Sequence, residues 1–299
     1  SAIEGVAVDP GRIGGLAAAD GGSRRFRNRS EREFAGYRDA IDEIMRAIEL
    51  EPITVPYALH LHRLLFGHTA AGGGRLKSDP NLIVSYEQGH RVVLFEPPSP
   101  AEMEFLLTEL FSRYREADEQ RAAHPILLIG ALVLDFLAIH PVADGNGRLA
   151  RLLTTHALLA RGYGVARYVS VEQRMFDTKE SYYDALSASQ RGWADGAHDT
   201  WPWIDYLVGV LEHAYDTFEQ RVAARRSLAT LSKQEQVRRY VLDEAPEVFR
   251  FRDVRAALPG VSDPTIKLVL SRLRREGRIA PAETGASGPR AAWRRVAHR

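Results

Sequence analysis

Cysteine is absent from all 299 residues. Disulfides, thiol nucleophiles and thiolate metal sites are therefore excluded together, and a cytoplasmic setting is the expectation this fits. Long apolar runs are missing too. The densest stretch, Ile126 to Ile139, is interrupted by Asp135 and is too short to cross a bilayer. No secretory signal pattern opens the chain, which begins without Met and partway into a motif, so a trimmed form is expected. The P-loop signature Gly-x-x-x-x-Gly-Lys-Ser/Thr is also absent, which argues against that class of nucleotide hydrolase.

What is present is ordinary in bulk and uneven in detail. A hydrophobic share of 45% and a charged share of 26% suit a globular protein with one large or two modest domains. The net charge is only +1, yet Ser232 to Arg299 holds 15 Lys and Arg against 8 Asp and Glu, a net +7. The rest of the chain must then carry −6. A basic tail on an acidic body suggests two jobs.

Hydrophobic periodicity divides the chain further. The stretch through Ser30, rich in Gly and Arg, reads as an arm. Helical spacing covers Glu31 to Leu50, through Phe34, Tyr37, Ile41, Ile44, Met45 and Ile48, and a second helix is expected over Pro56 to Leu65. Two β-prone runs then flank Glu87-Gln88-Gly89-His90, a hairpin pattern within Leu82 to Pro98. Helices resume at Ala101 to Arg121, Ile126 to Ile139, Gly147 to Arg161, Lys179 to Arg191 and Trp203 to Arg226. The helix over Ile126 to Ile139 is apolar nearly all round and should be the buried centre.

After Ala229 the pattern restarts, with helices expected at Ser232 to Asp243, Arg252 to Ala257 and Asp263 to Glu276. The last has Asp263 as its cap, Pro264 in its first turn and Gly277 as its stop. Three helices followed by the Gly- and Pro-containing stretch Arg278 to Val296 have the layout of a winged helix-turn-helix. The expected fold is thus mainly α: an arm over 1–30, a helical domain with a small hairpin over 31–228, and a winged helix over 229–299.

Residues 140 to 151 read His-Pro-Val-Ala-Asp-Gly-Asn-Gly-Arg-Leu-Ala-Arg. Pro141 disfavours helical geometry in the residue before it, so the buried helix should stop at His140 and fix the imidazole at its end. Histidine titrates near neutrality and can take a proton from an attacking hydroxyl. Asp144 is a hard oxygen ligand of the kind Mg²⁺ combines with phosphate oxygens and water. Gly145, Asn146 and Gly147 leave backbone N–H groups free to close on phosphate at the start of the next helix. Arg148 and Arg151 lie on one face of that helix, able to hold phosphates. A lone Gly-x-Gly would be an ordinary turn; seven distinct groups in this order suit a phosphoryl-transfer site.

This segment resembles the signature of the Fic family, His-Pro-Phe-x-Asp/Glu-Gly-Asn-Gly-Arg-x-x-Arg, with Val142 in place of the usual Phe. The likeness extends over about Ser1 to Arg226. It implies an all-α core that moves AMP from ATP onto Ser, Thr or Tyr of a target protein. By that resemblance His140 is the general base and Asp144 holds Mg²⁺. Gly145, Asn146, Gly147, Arg148 and Arg151 would serve the phosphates. Val142 is expected to face the core.

Three further segments carry the likeness. Ser1-Ala2-Ile3-Glu4-Gly5 resembles the family's inhibitory motif, in which Glu4 would pair with Arg151 and block the γ-phosphate. Val92-Val93-Leu94-Phe95 before Pro97-Pro98 looks like the flap that docks a target segment by strand addition. Tyr182-Tyr183 resembles a pair that packs near the adenine in relatives, although a core Tyr is the commoner reading. Gln190 stands where relatives often carry Asn. His60 and His62 face apart on a helix, against a shared metal.

In the tail, Lys267, Arg272, Arg274 and Arg275 on the third helix, with Arg278, Arg290, Arg294 and Arg295 in the wing, suit either DNA or a protein contact, including a homodimer. Two alternatives to the transferase stay open. One is a nucleotide-sensing, DNA-binding regulator; the other is removal of AMP, with Glu4 orienting water.

Overall fold

A computed structural model describes residues 8, 9, 12, 16, 25–47, 49–87, 90–229, 231–282 and 292–296. The chain divides into two compact units, Ser1–Phe218 and Glu219–Arg299.

The first unit is helical. Helix α1 (Arg29–Arg46) starts where the Asn28 side chain accepts the Glu31 N–H, and α2 (Val55–Leu65) is capped in the same way by Thr54. The two pack so closely at Gly36 that a Cβ there would lie 2.1 Å from the Leu65 carbonyl oxygen. Strands β1 (Ile83–Glu87) and β2 (His90–Phe95) form the expected hairpin, pairing Val84 with Val93 and Ser85 with Val92.

Helix α3 (Pro100–Glu119) opens with a capping box between Ser99 and Glu102 and leads to α4 (Pro125–Ile139). As its all-round apolar sequence requires, α4 lies in the core, with Leu132, Leu134 and Phe136 buried. Its one carboxylate, Asp135, accepts the Trp193 indole N–H at 2.7 Å. Helix α5 (Asn146–Ala160) lies beside it and buries Leu149, Leu152 and Leu153 in the same cluster. Helices α6 (Val171–Asp177), α7 (Lys179–Gln190) and α8 (Trp201–Ala229) follow. The sequence pattern did not indicate α6, which is barely two turns long.

The second unit has its own core around Val237, Phe249, Ile266, Leu270 and Leu273. Helix α9 (Lys233–Arg239) passes into a π turn over Tyr240–Glu244, where a single helix was expected. Strand β3 (Val248–Arg250), α10 (Phe251–Ala257), α11 (Asp263–Arg275), β4 (Ile279–Pro281) and β5 (Ala292–Arg295) complete it. The strands form an antiparallel sheet in the order β3-β5-β4. The cap of α11 is Ser262, one residue before the Asp263 read from sequence, and Gly277 follows in left-handed geometry. The division between units falls at Phe218, inside α8.

Candidate active site

Helix α4 ends at His140 in a left-handed backbone conformation, φ 52° and ψ 59°. The following Pro141 keeps the residue before it out of the helical region. A non-glycine residue held there stores strain of the order of 1–3 kcal/mol, which the surroundings must offset. The His140 N–H donates to the Phe136 carbonyl at 3.0 Å, and ring Nδ1 donates to the Leu137 carbonyl at 3.3 Å. A carbonyl only accepts, so Nδ1 carries the proton and Nε2 keeps its lone pair. Burial pushes the His140 pKa down to about 4; the Leu137 bond opposes this and the nearby Lys77 charge adds to it. The imidazole is therefore a neutral base at any ordinary pH.

The turn after it is held from several sides. Val142 is fully buried, so it does face the core. Both described bonds of the Asn146 side chain return to Val142: Oδ1 accepts its N–H at 3.0 Å and Nδ2 donates to its carbonyl at 2.6 Å. His62 donates from Nε2 to the Asp144 carbonyl at 3.0 Å while Nδ1 accepts the Gly74 N–H at 2.9 Å. His60 instead bonds Glu43, so the two histidines do turn to different partners. Gly145 caps α5 with φ 88°, and a Cβ there would lie 3.0 Å from the Phe66 ring. Only glycine suits both demands.

The first bond of α5 closes from the Leu149 N–H to the Gly145 carbonyl at 2.9 Å. The N–H groups of Asn146, Gly147 and Arg148 precede it, so the helix presents its positive end there.

Both arginines of the motif are buried and already paired. Arg148 donates to Glu33 at 2.9 Å and to Asp144 at 3.3 Å, with its guanidinium 5.0 Å from the centre of the Phe66 ring. Arg29 bridges the same two carboxylates, pairing with Glu33 and reaching Asp144 Oδ2 at 3.2 Å. Arg151 donates to Glu172 at 3.2 Å. Two cations and two anions thus close a balanced ring at Asp144, whose own side chain is 55% exposed. An incoming phosphate would exchange with carboxylates for the same guanidiniums.

Among the described residues no group of three His, Asp or Glu stands together as a metal site. A divalent ion at Asp144 would need phosphate oxygens and water for its remaining ligands, the donor set Mg²⁺ prefers.

Of the other expected residues, Val93 and Leu94 are exposed on β2, Val92 is half-buried, and Phe95 meets Trp193 edge-on. Tyr182 is buried among Trp203 and Tyr206, a core position, while Tyr183 is half-exposed and edge-on to it. Glu4 lies outside the described residues. Arg29, Glu33, Lys77, Asn81 and Glu172 also meet the site without having been candidates in the sequence. Apart from the Arg29–Glu33 spacing of four, nothing in one sequence marks them, because each meets the motif from a distant segment.

Comparison with known proteins now bears on this site. The Fic/DOC family model matches residues 52–158, from the start of α2 to near the end of α5. Over those residues the chain is similar to that family. It is 28% identical over 167 residues to the protein adenylyltransferase Fic of Drosophila melanogaster, which covers 56% of this chain and 30% of that protein. The Culex quinquefasciatus counterpart is 26% identical over 56% of this chain and 29% of its own length. The chain thus spans less than a third of these curated relatives. A Fic family protein from Desulfovibrio desulfuricans shares the fold with a TM-score of 0.57 at 22% identity, over 100% of this chain and 84% of that one. A Fic domain-containing protein from Bacteroides thetaiotaomicron gives 0.57 at 23% identity, over 71% and 80%.

Two outcomes follow from the buried charges. Glu33→Ala leaves the Arg148 guanidinium short of a buried partner and should destabilise the chain by about 3 kcal/mol, seen as a lower urea midpoint; an unchanged midpoint would refute the pair's structural role. His156, buried on α5 and also pushed down by burial to about 4, behaves like His140. A histidine with a depressed folded value contributes stability that is whole above its ordinary 6.5 and lost as pH falls through 4. Thermal midpoints should therefore drop between pH 6.5 and 4, and drop less in His156→Leu; equal pH dependence in both chains would contradict this.

Proposed function

We propose that this chain transfers AMP from ATP, with Mg²⁺, to a hydroxyl side chain (Ser, Thr or Tyr) of a target protein. The observation that carries this reading is the turn from His140 to Asn146. There a neutral imidazole with a free Nε2 is fixed at the end of one buried helix, next to the bare N-terminus of another. The names of the insect relatives support the same chemistry.

In this mechanism His140 Nε2 accepts the hydroxyl proton as the oxygen bonds to the α-phosphorus. The bond from that phosphorus to the bridging oxygen breaks, and pyrophosphate leaves. The amides of residues 146–148 and the guanidiniums of Arg148 and Arg151 balance charge gathering on the phosphates, the main protein contribution to such transfers. Mg²⁺, held by Asp144 when bound, would neutralise phosphate charge and orient the polyphosphate. Tyr183 is the exposed aromatic of its pair and the better candidate to face the base. The exposed Val93 and Leu94 of β2 suit docking of a target strand. Glu4, by its motif, would restrain the enzyme by competing with the γ-phosphate for Arg151.

The second unit supports a further contact. Its three helices and three-stranded sheet suit a winged helix, and Lys267, Arg272, Arg274 and Arg275 of α11 and Arg294 of β5 are all exposed. Arg274 also stacks over Trp293, and Arg290 lies outside the described residues. These cations suit a phosphate backbone, and so DNA.

Incubation with labelled ATP tests the main reading. Label should pass to protein, rise in Glu4→Gly and vanish in His140→Ala. Saturable ATP binding without transfer would favour a nucleotide sensor, and full activity in His140→Ala would remove the base assignment. For the second unit, duplex DNA binding should weaken steeply with added salt; no binding at low salt would end that idea.

A further inference from the structure

The backbone bonds of the catalytic turn lead to a loop that neither the motif nor the proposed mechanism uses. The Lys77 N–H donates to the Pro141 carbonyl at 2.9 Å. Its Nζ donates to the Asn81 Oδ1 at 2.9 Å and to the Ile139 carbonyl at 3.4 Å. Asn81 Nδ2 in turn donates to the Val142 carbonyl at 3.3 Å. Carbonyls immediately before and after His140 are therefore gripped by one stretch of five residues.

Two features make this more than incidental packing. Lys77 is only 5% exposed, and its described hydrogen bonds run to neutral oxygens rather than to a carboxylate. Burying an ammonium in that way is costly, so an apolar side chain would be favoured if filling space were the whole task. The residue it grips, His140, is one of two non-glycine residues with positive φ among those described, and such a backbone persists only when its neighbours over-determine it. The same stretch runs directly into the hairpin, since β1 begins at Ile83, two residues after Asn81.

We propose that Lys77 and Asn81 form a positioning clamp that holds His140 in its left-handed conformation and fixes its spacing from the β1–β2 hairpin. The inference rests on the transferase reading, in which the hairpin seats the target and His140 takes its proton. Lys77 touches neither; it acts through the carbonyls it holds. The ammonium supplies donors in two directions from one point, toward Ile139 and toward Asn81. A methionine would fill the same space with no donor, whereas an arginine would retain donors.

The test uses the full chain and two independent readouts. In Lys77→Met, kcat for labelling should fall roughly tenfold to hundredfold, the scale expected when a reacting group is misplaced by a fraction of an ångström to an ångström. The KM for ATP should stay close to wild type, and Lys77→Arg should recover most of the loss. The intraresidue HN–Hα NOE of His140, read by NMR, is strong at a positive φ; it should weaken in Lys77→Met and recover in Lys77→Arg. Unchanged kcat and NOE in Lys77→Met would overturn the clamp, as would a fall in kcat matched by an equal rise in KM. If wild type transfers no label, that counts against the transferase reading, and the NOE alone then decides the clamp. Should Lys77→Met fail to fold, Asn81→Ala takes its place, with the same outcomes expected and the same ones fatal.

Discussion

A polar turn that joins two helices of one apolar core must have its backbone groups satisfied locally, and the site is built around that requirement. Water cannot serve donors and acceptors beneath the surface, so the protein has to. Between Ile139 and Gly145 the partners come from four places: the end of α4 itself, His62 on α2, the loop holding Lys77 and Asn81, and Asn146 at the start of α5. Each bond narrows the path of the turn. Together they hold a histidine backbone that the chain would not adopt unaided, and they leave one ring nitrogen free.

The charges obey a related constraint. Arg148 and Arg151 are drawn into the interior because α5 packs along most of its circumference, and buried guanidiniums need anions. Glu33 and Glu172 supply them from other helices, and Asp144 and Arg29 extend one pair into a ring of four. The arrangement gives each buried guanidinium a carboxylate partner. Arg29, largely exposed, is the member whose bond to Asp144 costs least to exchange.

Much of the framework was legible in the chain itself. The ends of α4 and α5, the hairpin and the separate basic unit all follow from periodicity, from Pro141, and from the Gly-rich turn. The left-handed His140 was not: Pro141 stops the helix, but the direction taken afterwards depends on Lys77 and Asn81. Tyr182 was open between two readings in the sequence, beside the adenine or in the core; the structure buries it among Trp203 and Tyr206.

What the sequence determined alone was therefore local: which groups stand in the motif, in what order, and at which helix end. Such features depend on neighbours three or four residues apart, whose geometry a backbone period fixes. Tertiary structure decided the rest: that Glu33 and Glu172 neutralise the motif's arginines, that His62 carries its proton to the Asp144 carbonyl, and that a buried lysine grips the turn beside His140. Those contacts join residues 21 to 115 positions apart. No periodicity spans such distances; only the packing of one helix on another brings the partners within reach.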